Sequence, residues 1–346
     1  GLRRITESTK QVHSRFPNWQ TVIEKPGPTD WTLDYLPVGR LQVNHRLRHV
    51  LESTPAENNS PPSPTHNSQT HNSSQSPTAT LAKIDVPESL PIVLHRRLHC
   101  GLLISASPEG LDQAIDIAHQ VLWRMLTGAA PGRAKLTLID PVGRGQNFTS
   151  FMALADHDPS LVGHRVWTSE TQITERLGEI AQHVEDVLQA SLRDRFQRIE
   201  DYNELAGSMA EPYRMIAAIG FPEGLTRESY KHLQALLESG LRCGVFTVIV
   251  SDKSKPWPSE TPLPKTDKLL RLDLNDDGEW RVIQDGLDDL PFQPDPSPPV
   301  KLRSALVEEV GQAAIAASRV EIPLADILKD IHLLFRCIFF YTHPQK

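Results

Sequence analysis

GLLISASPEGLDQAIDIAHQVLWRMLTGAAPGRAKLTLID, residues 101–140, reads as a strand, a turn, a helix and a second strand in succession. Residues 101–105 form a short apolar run. Leu111, Ala114, Ile115, Ala118, Val121, Leu122 and Met125 then recur at the three-and-four spacing of one helix face. After the Pro131-Gly132 break, LTLID at 136–140 is apolar again and stops on a carboxylate. An apolar strand joined through a helix to another apolar strand is the unit of a parallel sheet, whose strands are covered on both faces.

Downstream the alternation continues. HRVWT at 164–168, RMIAAIG at 214–220 and GVFTVIVS at 244–251 are further strand candidates. Between the first two, residues 171–206 carry Ile173, Leu177, Ile180, Val184, Leu188, Leu192 and Ile199 on one side, with mixed charge opposite, the pattern of a long amphipathic helix. KSKPWPSETPLPK is a loop, and LLRLDL with EWRVI predicts a hairpin across Asn275–Gly278. A Pro-rich connector leads to an amphipathic helix at about 301–319. The fold class expected is therefore α/β, a mostly parallel sheet with helices on both faces.

Outside this core the composition changes. Residues 1–51 are polar with scattered aromatics and one strand candidate at 38–43, an accessory segment. Residues 52–80, Glu52 followed by STPAENNSPPSPTHNSQTHNSSQSPTAT, offer almost no apolar surface to offset the entropy of ordering and predict a disordered linker. The α/β domain then occupies 81–290. Residues 291–346 form the connector and helix, leading toward a further module beyond the chain. The first residue is Gly rather than Met, so the chain is expected to be a fragment of a larger protein; IHLLFRCIFFYTHPQK at the end changes character abruptly, which fits either a truncated or frameshifted end or a terminal strand or helix packed on the core.

A formal charge of −7 over 346 residues gives no net attraction to a polyanion. Three widely spaced cysteines, Cys100, Cys243 and Cys337, do not make a disulfide framework and fit a reducing cytoplasm. No run reaches the ~20 apolar residues of a membrane-spanning helix. The expected location is cytoplasmic.

A turn between a strand and a helix is where nucleotide-binding proteins cradle phosphate. Here it reads SASPEGLDQ, with Ser105, Ser107, Glu109 and Gly110 at the loop positions. A working loop needs GxxxxGK and then Ser or Thr, for close backbone approach, a cation on the β- and γ-phosphates and a hydroxyl on Mg²⁺. This turn has no lysine, and it places Glu109 and Asp112 where the anion would sit. The second half of such a site is an acidic pair at a strand end. RMIAAIG ends on Ile219 and Gly220; Glu223 comes later in the loop, and Asp140 closes LTLID. Asp140 and Glu223 are the strand-end candidates, and no residue is assigned a catalytic or metal-binding role. His95, His99 and Cys100 match no paired metal-ligand spacing, and GxSxG is absent.

LTLIDPVGRGQNF, FMALADHD, VWT, the long charged helix, EPYRMIAAIGFPEGLT and SGLRCGVFTVI, in that order over residues 91–252, together resemble an FtsK/SpoIIIE-type domain. The resemblance implies a P-loop NTPase-like (RecA-like) fold and a degenerate copy of the module. It further implies ATP and Mg²⁺ as cofactors of the intact protein but none in this chain. Partners would be other FtsK-like domains, in cis or as an oligomer, and DNA through the intact protein. The function implied is a non-catalytic module of a DNA-translocase-type protein, serving assembly or regulation. The alternative is part of an active translocase or type VII-like secretion motor whose intact nucleotide-binding domain lies elsewhere.

Overall fold

A computed structural model of the protein describes residues 18–24, 35–42 and 88–318, with 194, 265, 285, 286 and 289 excepted. The tract at 52–80, Cys337 and residues 319–346 lie outside the described residues, as do the expectations placed on them. Among the described residues the strands form one nine-stranded sheet, ordered β2 (Ser89–His95), β1 (Tyr35–Gln42), β9 (Phe292–Pro294), β8 (Trp280–Val282), β7 (Leu269–Leu274), β3 (Gly101–Ala106), β6 (Val245–Asp252), β5 (Tyr213–Phe221) and β4 (Ala134–Ile139).

Five neighbouring strands are parallel: β3 (Gly101–Ala106), β4 (Ala134–Ile139), β5 (Tyr213–Phe221), β6 (Val245–Asp252) and β7 (Leu269–Leu274). Every residue of β6 is buried, as are Leu102, Leu103 and Ile104 of β3, because both faces are covered and no position turns to water. Each such Leu or Ile contributes roughly 1.5–3 kcal/mol by leaving water. Gly101 starts β3 because nothing larger fits: a Cβ there would lie 2.0 Å from the backbone oxygen of Thr247.

The helices that join these strands cover both faces. The chain runs outward from β3 to β4 and back from β4 to β5, so right-handed crossovers put the two connections on opposite sides. The first is α2 (Leu111–Gly128), following the short α1 (Trp19–Glu24). Its buried positions include Ala114, Ala118, Val121, Leu122 and Met125 of the predicted stripe, widened by Ile117 and Trp123. The second contains α3 (Thr149–Met152) and α4 (Glu170–Asp186), the latter capped by Ser169. Next to α4 lies α6 (Arg227–Ser239), opened by a reciprocal cap between Thr226 and Ser229.

Two elements differ from the sequence reading. The single helical pattern at 171–206 divides into α4, a π-helical stretch Val187–Leu192 and, beyond a break at Arg193 with φ of 41°, α5 (Ile199–Ala206). HRVWT forms no strand. Only Trp167 bridges Ile139, donating its N–H to Leu138 O and accepting from Asp140 N–H, because His164 holds a positive φ of 68° that extended chain does not use.

The expected hairpin is present: β8 (Trp280–Val282) pairs antiparallel with β7, Leu272 opposite Val282. Beyond it the sheet gathers strands from segments that differ in sequence character. β9 (Phe292–Pro294) pairs with β8 and β1 (Tyr35–Gln42), and β1 pairs with β2 (Ser89–His95). The last described helix, α7 (Val300–Ser318), packs on α1, α2 and α3.

Candidate functional site

In open sheets of this kind ligands bind outside the carboxyl ends of the parallel strands, where successive connections depart in different directions. Here that place is the end of β3, which lies between β6 and β7. The turn 107–110 stands there. Ser107 is extended (φ −67°, ψ 163°), Pro108–Gly110 form one 3₁₀ turn, and the Gly110 N–H donates to Ser107 O at 2.9 Å. The N–H of Leu111 is bonded back to Pro108 O, and Pro108 has no N–H at all.

Two donors of this turn, the N–H groups of Gly110 and Leu111, are thus consumed by the turn itself. No residue from 105 to 111 has a positive φ, and a concave nest of N–H groups needs an αR–αL succession. Gly110 is buried and helical (φ −99°, ψ −2°), and the space above it is occupied: a Cβ there would lie 2.0 Å from Leu274 Cδ2. Glu109 and Asp112 are exposed beside the turn. These residues do not fit a triphosphate.

A lysine does reach this end of the sheet, one that the sequence reading passed over because it follows the strand GVFTVIVS rather than the turn. Lys253 donates its N–H to Ala106 O. Its ammonium is held by Asp273 Oδ2 at 2.6 Å and by Leu274 O, so its charge is committed to β7. Asp252, at the end of β6, is also buried, and its Oδ1 accepts from the N–H and hydroxyl of Ser254.

The strand-end candidates stand in different environments. Asp140 is fully buried. Its Oδ1 accepts from Gly143 N–H at 2.9 Å and Asn147 Nδ2 at 3.1 Å, and its Oδ2 from Gly145 N–H at 3.0 Å and Asn147 N–H at 3.2 Å. The carboxylate organises the loop 140–148, and Gly143 is required there because a Cβ would lie 2.6 Å from Asp140 Oδ2. Glu223 is half-exposed and 3.9 Å from Lys255. The loops after β4 and β5 meet through Gly220, which faces Val142, and Gly224, which faces Pro141. Asp140 spends its oxygens on its own loop, while Glu223 points to Lys255.

Behind the loop, His119 of α2 is buried against Phe148 and Phe151. Burial, aided by Arg303, pushes its imidazole down to about 4 against the opposing pull of Asp116, Asn147 O and Asp140. It is neutral at neutral pH. Cys100 and Cys243 are buried, and burial raises their thiols to about 11 and about 12, which leaves them unreactive. His95 donates its N–H to His99 Nδ1 at 2.9 Å, closing a backbone turn. Among the described residues no group of three His, Cys, Asp or Glu side chains is arranged to hold a metal ion.

No family model matches the chain, and no curated protein matches it by sequence. Solved structures do match its coordinates. EssC (ATPases 2 and 3) from Geobacillus thermodenitrificans superposes with a TM-score of 0.52 at 10% identity, over 86% of this chain and 52% of that one. The chain shares the fold of the EssC ATPases. It spans about half the length of that EssC structure. The cytoplasmic domain of the Thermomonospora curvata type VII secretion ATPase EccC gives 0.47 at 12% identity, over 65% of this chain and 30% of that one. The pCW3 conjugation coupling protein TcpA, a monomer with ATPγS, gives 0.46 at 12% identity, over 64% and 67%. The resemblance to FtsK/SpoIIIE-type domains read from residues 91–252 is met at the level of the EssC-type fold. No described helix is long and apolar enough to cross a membrane.

Proposed function

We propose that this chain is a non-catalytic module of an ATP-driven translocase, working in assembly or regulation beside domains that carry the nucleotide chemistry. The observation that carries the reading is the turn 107–110, where Leu274 fills the space over Gly110 and the turn's own carbonyls take the N–H groups of Gly110 and Leu111. Anion binding at a helix start depends on free N–H groups aimed outward, and the nearest lysine, Lys253, is already paired. ATP and Mg²⁺ belong, in this reading, to other domains of the intact cytoplasmic protein. Its partners are like modules in cis or in an oligomer, with DNA or a protein as cargo.

The alternative, a motor whose working nucleotide site lies outside this chain, is favoured by one fact: the chain spans about half of an EssC structure that comprises ATPases 2 and 3. Calorimetric titration of the chain with Mg-ATP tests the main reading. No micromolar binding and no turnover are expected. Micromolar binding by the turn, or turnover abolished by Asp140→Asn or Glu223→Gln, would overturn it. A variant given Gly-Lys-Ser around Gly110 should gain at most weak binding and no hydrolysis.

A further inference from the structure

At the amino-terminal ends of β4 and β5, on the face covered by α4, the fold brings together cations that make few direct ion pairs. Lys135 and Arg214 are directly opposed in the parallel pair, so two cations leave the same face of the sheet side by side. Like charges in that relation repel and destabilise. From above, α4 adds Arg176, whose Nη2 lies 3.4 Å from Thr137 Oγ1, the next same-face position along β4. Two turns on it adds His183.

The negative groups nearby stand mostly beyond ion-pair distance, Asp158 and Glu211 acting on Lys135 and Asp186 on His183. Glu211, just before β5, is 3.9 Å from His183 Nε2, and Arg176 Nη1 is bonded to the exposed Glu179 at 2.9 Å. Lys135 and Arg214 make no ion pair within 4.0 Å with another described residue. Meanwhile Arg176 Nε, Arg214 Nε and His183 Nε2 are buried with no hydrogen-bond partner. Orphaned buried donors cost about 1–3 kcal/mol each, so two guanidinium Nε–H groups on converging side chains, with an unpartnered imidazole nitrogen beside them, call for a ligand.

We propose that Lys135, Arg176, Arg214 and His183 form a binding site for a compact phosphate-class oxyanion, either inorganic phosphate or the phosphate group of a small phosphorylated molecule. Guanidinium forks match the geometry of such an anion, and a charge-assisted bond is about twice as strong as a neutral one. The site is reachable because β4 ends the sheet and the side chains of Arg176 and His183 remain partly exposed. A nucleic-acid duplex does not fit beneath α4, which lies over these strand positions. Electrostatics agree with the geometry: burial and then Arg176 lower the Arg214 guanidinium, and burial and then Arg214 lower the Lys135 ammonium. The site lies at the opposite end of the strands from the turn 107–110, so it stands apart from the nucleotide question.

The test is titration of the full chain with sodium phosphate against sodium chloride at matched ionic strength, read by calorimetry and by melting temperature. Saturable binding and a rise in melting temperature with phosphate alone are expected. Lys135→Gln should weaken phosphate binding by about tenfold. Without ligand the same variant should be at least as stable as the parent, because it removes one of two apposed cations; that keeps the experiment readable. Glu109→Gln should leave phosphate binding unchanged, and tighter binding by that variant would move the ion to the turn and overturn the site. Adenosine monophosphate in place of phosphate separates the two sources: equal affinity names a phosphorylated ligand, and no binding names the free ion. A proton-resonance titration adds a second readout. His183 faces Lys135 and Arg214 from the strands, Arg176 and Asp186 from its own helix and Glu211 from the segment before β5, and a bound anion should raise its pKa. Equal response to phosphate and chloride, or phosphate binding by Lys135→Gln undiminished, would refute the proposal.

Discussion

Leu274, the last residue of β7, occupies the space that a side chain at position 110 would need: a Cβ on Gly110 would lie 2.0 Å from Leu274 Cδ2. The glycine is therefore kept for packing, since its φ of −99° is open to any residue. Gly110→Ala should cost about 1–3 kcal/mol of stability through overpacking. Adding Leu274→Ala should recover part of that cost, a coupling visible in a double-mutant cycle by denaturant unfolding. Strict additivity would show that the two residues do not compete for one space.

The two strand-end carboxylates should separate cleanly. Asp140→Ala strips partners from the N–H groups of Gly143, Gly145 and Asn147, and should cost about 3 kcal/mol or more. Glu223→Gln removes a half-exposed pair 3.9 Å long, and should stay within about 0.5 kcal/mol of the parent. Urea midpoints at constant slope measure both.

Stability should fall as the solution is acidified from pH 6.5 toward 4. His119 and His183 are each held down to about 4 in the folded chain, chiefly by burial, against 6.5 when unfolded. In that window the unfolded chain binds more protons, so stability is fully present above 6.5 and is lost as pH drops through the folded value. For His119, which is nearly inaccessible, the loss is on the order of 3 kcal/mol; the more exposed His183 contributes less. His119→Leu should flatten the profile, and an unchanged slope in that variant would contradict the assignment.

Glycine substitutions should grade by what the new carbon meets. At Gly101 it meets the backbone oxygen of Thr247 at 2.0 Å, and backbone inside a buried parallel pair cannot give way. Gly101→Ala should cost well over about 3 kcal/mol. At Gly278, in the β7–β8 turn, nothing lies within 4 Å and only the φ of 78° opposes a side chain, so Gly278→Ala should cost about 1 kcal/mol. Thermal melts of the two variants check the ranking.

The parallel core was legible because its strands carry their periodicity in the open. GLLIS, LTLID, RMIAAIG and GVFTVIVS are uninterrupted apolar runs, and each lies on an observed strand. The Asn275–Gly278 hairpin was equally readable from its turn residues. HRVWT misled because β-branched and aromatic composition is satisfied by one bridging residue, while the positive φ at His164 leaves no mark in composition. At the candidate site, the missing lysine and the carboxylates of SASPEGLDQ were visible at once. That Leu274, 164 positions after Gly110, would close the turn was not, since contacts across a sheet depend on strand order. The same holds for Lys135 and Arg214, ordinary surface cations in sequence, made neighbours only by the register of β4 and β5.

β1 and β2 pair in antiparallel register out to Gln42 opposite Ser89. The chain between them thus departs from the sheet and rejoins it through adjacent backbone positions. For a flexible insertion each doubling of loop length costs only about 0.6 kcal/mol. The sheet is consequently almost indifferent to how many residues are inserted at this point, provided that both ends return to the same two strands. In engineering terms it is a port: cargo, a tag or a second folded domain placed between Gln42 and Ser89 should be carried by the sheet at little thermodynamic cost.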